Sequence, residues 1–263
     1  MRSLLWRYSL HIVLCGIWLL LLPSDTLEEP LFQGPNVVAV SGLTQIRLGD
    51  WAFPPALTTL HAAKNESESF QLVVRAPRGG LKDVQVSVAP FQNEAGDTLP
   101  VTLYREHYVY AHAVARDYYK RETFVASNVP KSAGWYADAL IPFEVDNSAA
   151  RFKAQPFEVA AFQNGVIWVD VYIPSEAQAG TYQSTYTVSS SAGEVSGTVR
   201  LEVWDFALPE RISLDSSFLV WQENTKEMYI ELLKHRLMPD YVESEHQAEL
   251  IEDWGLRLQR LGF

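Results

Sequence analysis

The sequence predicts a mainly β protein, with an antiparallel β-sandwich over 36–208 followed by an incomplete β/α unit over 209–263. Three observations predict this. From about Asn36 to Trp204 apolar and polar residues alternate, the mark of antiparallel strands with one buried face. The stretches between these segments are rich in turn-forming residues. After Pro209 the apolar spacing becomes helical.

The strands read in order. In "SFQLVVRA", Phe70, Leu72, Val74 and Ala76 share one face. In "DVQVSVAPF", Val84, Val86 and Val88 oppose Gln85 and Ser87. In "GEVSGTVRLEVW", Val195, Val199, Leu201 and Val203 oppose Ser196, Thr198, Arg200 and Glu202. The breakers are "PRGG" at 77–80, "NEAGD" at 93–97, "QNG" at 163–165 and "SSAG" at 190–193. Asn164-Gly165 is a short-hairpin signal. Eight or nine such strands over 36–206 indicate a sandwich. One connection, 112–133, is long enough to be functional. Its Arg116, Tyr118, Tyr119, Lys120 and Arg121 either contact sugar or pack the loop onto its own domain.

Beyond Pro209, "SFLVW" is a short apolar run like a strand buried on both faces. It ends in Gln222, Glu223 and Asn224, with Asn224 a candidate N-cap. Tyr229, Leu232, Leu233 and Leu237 then fall at helical spacing until Pro239. "MPDYV" is a candidate second strand. Ser244 and Gln247 have capping-box spacing. A second helix places Leu250, Ile251, Trp254, Leu258 and Leu261 on one face, with Gly262 as its stop. The order β-α-β-α implies a parallel sheet. Two strands leave its faces and edges uncovered, so further units are expected.

The N-terminus has the pattern of a signal peptide, assigned to 1–26 and followed by a linker at 27–35. Arg2 and Arg7 precede an uncharged apolar run, Leu10 to Leu22, which is short for a membrane span of ~20 residues. Export with no stable membrane insertion after cleavage is therefore expected, and an uncleaved signal anchor is the competing reading. Cys15 is the single cysteine and lies in this segment, which leaves no thiol for disulfides or thiolate metal sites after cleavage. A net charge of −11 argues against nucleic acid.

Several further patterns bear on possible sites. The six histidines have no metal-ligand spacing, and neither nucleotide-binding glycine motif occurs, so no metal and no cofactor is expected. Asn65-Glu66-Ser67 fits the N-glycosylation triplet. Asp170 lies between Trp168 and Tyr172 on one strand face, which is either a carbohydrate platform or a surface covered by the barrel or by the long loop 112–133. Asp138 is expected in a turn or an inter-domain hydrogen bond.

The motifs "GWYADALIPF", "WVDVYIP…AGTY" and "LEVWDFALPE" followed by "LLKHRLMP" resemble, in this order, secreted proteins grouped as domain of unknown function 4091 and related to glycoside hydrolase family 123. The resemblance covers roughly 36–263. It implies a sandwich followed by a TIM-type (β/α)8 barrel, of which 209–263 would be the first two units. It also implies hydrolysis of β-linked N-acetylgalactosamine by an adjacent Asp-Glu pair. No Asp-Glu dipeptide occurs here, so no catalytic residue carries over, and the chain looks truncated.

In such barrels substrate meets the C-terminal ends of the strands. These are Gln222, Glu223 and Asn224 for the first strand, and Asp240 and Tyr241 for the second. The expectation is the N-terminal part of an exported glycoside hydrolase-like protein acting on glycans, its catalytic centre in the missing barrel. The alternative is a non-catalytic exported sandwich that binds carbohydrate or a protein partner. The apolar helix faces favour the first, because a self-contained sandwich has no use for them.

Overall fold

The computed structural model describes residues 34–51, 53, 56–112, 133–144, 153–209, 216–218 and 225–257. The first six strands are β1 (Asn36–Ser41), β2 (Thr59–Lys64), β3 (Glu66–Arg75), β4 (Leu81–Val88), β5 (Phe91–Gln92) and β6 (Thr98–Leu99). The rest are β7 (Val101–Ala111), β8 (Gly134–Pro142), β9 (Phe157–Val159), β10 (Asn164–Ile173), β11 (Gly180–Ser190) and β12 (Gly193–Ala207). The helices are α1 (Lys226–Lys234) and α2 (Ser244–Trp254).

The strands form two sheets. One has five strands in the order β1-β3-β10-β7-β8. The other runs β2-β12-β11-β4-β9, with β5 and β6 attached through β11. Pairings are antiparallel except β2 with β12, which is parallel. β2 leads directly into the other sheet. Asn65 alone separates β2 from β3, and its φ of 60° turns the chain from one sheet into the other. Asparagine tolerates this left-handed conformation better than most residues with a Cβ.

The alternation predicts the core. Phe70, Leu72 and Val74 on β3 and Ile167, Val169 and Val171 on β10 are fully buried. They meet Val84, Val86, Leu201 and Val203 from the other sheet in one cluster. Each such aliphatic or aromatic side chain is worth about 1.5–3 kcal/mol relative to exposure. Phe70 and Phe91 pack edge to face at 6.4 Å between centroids.

β3 and β10 are buried on their other face as well. Val73 and Val166 pack there with Val40 and Ile46. The polar residues on this face hold the segment after β1. Gln71 Nε2 donates to the carbonyls of Ser41 at 3.0 Å and Thr44 at 2.7 Å. Asn164 Nδ2 donates to those of Arg47 and Asp50, each at 2.8 Å. Asn164-Gly165 is therefore not a hairpin turn. The turn lies at Ala160–Gln163, closed by a 3.0 Å bond from the Gln163 N–H to the Ala160 carbonyl. It joins β9 and β10, which belong to different sheets. At Gly165 a Cβ would lie 2.7 Å from Phe157 Cε2, so the absence of a side chain lets the sheets close.

After β12, Phe218 forms a parallel bridge with Pro239. The Phe218 N–H donates to Met238 O at 2.8 Å, and the Asp240 N–H donates to Phe218 O at 3.0 Å. Tyr229, Leu233, Met238, Val242, Leu250 and Leu256 form a small separate core. Helix limits differ from the sequence expectations. Thr225, not Asn224, is the N-cap of α1, and α1 stops at Lys234, with Arg236 at φ 59°. The Ser244–Gln247 capping box does not form, because Glu243 takes the N-cap and Gln247 Nε2 donates to Val242 O at 2.8 Å. Gly255, with φ 71°, ends α2. Ile251 is 40% exposed, off the buried face on which it was placed. Leu258, Leu261 and Gly262 lie outside the described residues.

Candidate functional site

The outer face of the five-stranded sheet is built by the residues that alternate with the core positions. Tyr104 pairs with Trp168, and Thr102 with Asp170, on β7 and β10. Asp170 also pairs with Ser69, and Tyr172 with Ser67, on β10 and β3. These residues share a face because opposite partners in an antiparallel pair project the same way. The face is the floor of a groove of about 760 Å³.

The floor is hydrogen-bonded in advance. Asp170 Oδ1 accepts from Ser69 Oγ at 2.7 Å and from Trp168 Nε1 at 2.6 Å. The Tyr172 hydroxyl donates to Asn65 Oδ1 at 3.0 Å. Burial pushes the Tyr104 phenol above its ordinary pKa, and the negative charges of Asp170 and Glu231 add to this.

The opposite wall comes from the C-terminal ends of the helices. From α1 it receives Glu231, Leu233 and Lys234, then His235 and Arg236 just beyond. From α2 it receives Glu252, Asp253 and Trp254, closed by Gly255. Glu231 is the partner of Lys234 at 3.5 Å and of His235 at 3.1 Å. The Lys234 ammonium lies 5.8 Å from the Trp254 ring centroid. Arg236 Nη1 donates to the Pro209 carbonyl at 2.9 Å, and its Nη2 to the Asn65 carbonyl.

The platform of Trp168, Asp170 and Tyr172 was thus correctly placed on one face, and the covering segment is the end of the helical unit. Asn65 is spent structurally. Its Nδ2 donates to Leu208 O at 3.0 Å while its Oδ1 accepts from Tyr172. Thr102, Tyr104, Glu231 and Trp254 escaped sequence reasoning as site residues. The available signal was the polar half of "VTLYREHYVYA", which the alternation sends to the same face as Asp170.

Of the strand-end residues, Gln222, Glu223 and Asn224 lie outside the described residues. Asp240 directly follows the bridging Pro239 and is half-buried, and Tyr241 is 63% exposed. Neither lines the groove. The groove borders the C-termini of α1 and α2, whereas Asp240 and Tyr241 follow the Phe218–Pro239 bridge and precede α2, so the two places lie at opposite ends of α2. Asp138 is not in a turn. It is the exposed extra residue of a bulge, between Ala137, paired with Tyr108, and Ala139, paired with His107. The loop residues Arg116 to Arg121 lie outside the described residues.

Another carboxyl was not anticipated. Glu106 on β7 is 8% exposed and accepts no hydrogen bond among the described residues. Burial pushes it up to about 7. Among the described residues, no cluster of three potential metal ligands occurs, and no helix is long and apolar enough to cross a membrane.

The family model for the glycoside hydrolase 123 N-terminal domain matches residues 55–190, a little over half of the chain. No curated protein matches by sequence. Among solved structures, a family 123 glycoside hydrolase from Clostridium perfringens, described for glycolipid glycan hydrolysis, is 15% identical with a TM-score of 0.47. The match covers 76% of this chain and 32% of that one, so the chain spans about a third of that enzyme's length. The N-terminal domain of PorA is 9% identical with a TM-score of 0.28, covering 65% of this chain and 100% of that one. The CooA pilin subunit from enterotoxigenic Escherichia coli is 12% identical with a TM-score of 0.29, covering 66% and 99%.

Proposed function

The chain belongs to the glycoside hydrolase 123 N-terminal domain family, and from this we propose that it is the N-terminal part of an exported glycoside hydrolase-like protein acting on glycans. The family match is the observation that carries the proposal. On this reading 36–208 is a supporting sandwich, and 209–263 opens a (β/α)8 barrel whose further strands hold the catalytic centre. The parallel bridge between Phe218 and Pro239 supports the barrel reading, because parallel neighbours joined by a helix are its repeating unit.

Chemistry in such barrels takes place at the C-terminal ends of the strands. Gln222, Glu223, Asn224, Asp240 and Tyr241 are proposed as glycan contacts there, with hydroxyl hydrogen bonds as their role. The groove lies at the other end of α2, where contacts stabilise the barrel. Docking the sandwich there leaves the strand ends open to substrate. The apolar segment from Leu10 to Leu22 supports export.

The test is turnover of an aryl β-N-acetylgalactosaminide by the product of the whole reading frame, compared with the 263-residue chain. Turnover by the longer product alone is the expected result. Turnover by the 263-residue chain that Glu223→Gln abolishes would move the catalytic centre into this chain. A stop codon directly after Phe263, with a soluble monodisperse product, would end the hydrolase reading for this protein.

A further inference from the structure

We infer that the groove between the outer face of the five-stranded sheet and the C-terminal ends of α1 and α2 binds a short neutral oligosaccharide. This goes beyond the proposed hydrolysis, because the groove is at the opposite end of α2 from Asp240 and Tyr241. It would be an accessory site that holds a glycan chain without cleaving it.

Size and charge narrow the ligand. The volume of about 760 Å³ is within the range of small-ligand sites, ~300–1,000 Å³. The basic side chains are already engaged: Lys234 and His235 with Glu231, and Arg236 with backbone carbonyls. Asp170, Glu252 and Asp253 have no cationic partner among the described residues. The surplus is negative, which disfavours phosphate, sulfate and uronate groups.

The floor chemistry separates a sugar from an amine. Ser67, Thr102 and Tyr104 carry hydroxyls able to donate and to accept, and the Tyr172 hydroxyl, whose proton goes to Asn65, still accepts. A sugar hydroxyl also does both, whereas an ammonium only donates. Asp170 is set for such a partner. Ser69 and Trp168 fix its Oδ1, while its Oδ2 accepts no bond among the described residues. A carboxylate already oriented loses little freedom when a ligand hydroxyl arrives. Trp254, beside the Lys234 ammonium, supplies an apolar surface for the C–H face of a pyranose.

Saturation-transfer NMR on the full chain tests this, with N-acetyllactosamine and cellobiose as neutral probes and spermidine as the cationic one. Calorimetry gives the affinities. At least one neutral sugar should receive saturation. Asp170→Asn should raise its Kd about tenfold or more without changing Tm, because asparagine keeps the oxygen to which Ser69 and Trp168 donate. Thr102→Trp should abolish binding by filling the exposed floor. No transfer to either sugar would overturn the proposal, as would sugar binding that neither variant changes. Preferential binding of spermidine, lost in Asp170→Asn, would make the groove a cation site instead. Each outcome is independent of aryl-glycoside turnover by the longer product.

Discussion

Arg236, just past the end of α1, donates to the backbone carbonyl of Asn65, the corner between the two sheets and 171 positions earlier in the chain. Its other terminal nitrogen donates to the carbonyl of Pro209, after the last strand. One guanidinium thus fastens the helical unit to the sandwich. Arg236→Ala should cost about 1–3 kcal/mol, the usual loss when a charged donor leaves carbonyls unsatisfied. Arg236→Gly should cost about 1 kcal/mol less than the alanine variant, because glycine relieves the left-handed conformation at φ 59°. Urea unfolding of both variants measures the difference. Equal losses would mean that the backbone there is not strained.

Asn65 is the second half of this junction and heads the sequence's Asn-x-Ser triplet. Its amide nitrogen is tied to Leu208 and its amide oxygen to Tyr172. A glycan on Nδ2 would clash with this arrangement. The soluble, folded fraction from a glycosylating host should therefore have the unmodified intact mass. Asn65→Ala should destabilise the chain by about 1–3 kcal/mol, since Leu208 O and the Tyr172 hydroxyl lose their partner. A glycosylated product with unchanged Tm would show that these bonds contribute little.

What the sequence made legible was the part governed by alternation. Phe70, Leu72, Val74 and Val84, Val86 were placed on the buried face because a period of two permits no other assignment once one face is apolar. The same rule put Trp168, Asp170 and Tyr172 together. It could not say what covers them, because their partners Glu231 and Trp254 come from helix ends fixed by tertiary docking. Asn164-Gly165 misled for a related reason. Its residue types match a hairpin turn, but Asn164 is needed to hold the Arg47 and Asp50 carbonyls, and Gly165 to admit Phe157. Helix limits failed where local caps were outcompeted, as at Ser244, where Gln247 bonds to Val242 instead.

Gly165→Ala tests the close approach directly. The added methyl would meet Phe157 Cε2 at 2.7 Å and Val159 Cγ2 at 2.9 Å. Both neighbours are buried, and the Phe157 ring is further confined by the Arg105 guanidinium, 5.4 Å from its centroid. Overpacking of this kind costs about 1–3 kcal/mol. Thermal unfolding should show a lower Tm. Restoring space with a second substitution, Val159→Ala, should recover part of the loss, and the absence of any recovery would place the strain elsewhere.

Glu106 predicts a pH dependence. It shares a strand face with Tyr104 and Tyr108, and burial also raises the phenol pKa of both. The Glu106 carboxyl is raised from 4.5 to about 7, so the folded state holds its proton more tightly than the unfolded chain does. Its favourable contribution is complete below the ordinary carboxyl range and is lost as the pH rises through about 7. The full effect is about 3 kcal/mol, at 1.36 kcal/mol per pH unit. The wild-type chain should therefore lose stability between about pH 4.5 and 7, where the unfolded chain has released this proton and the folded chain still holds it, and level off above. Glu106→Gln removes the charge while keeping the shape, so its stability should vary much less over that interval. Denaturant midpoints measured at several pH values for both chains would decide it. Superimposable profiles would show that Glu106 titrates as an ordinary exposed carboxyl.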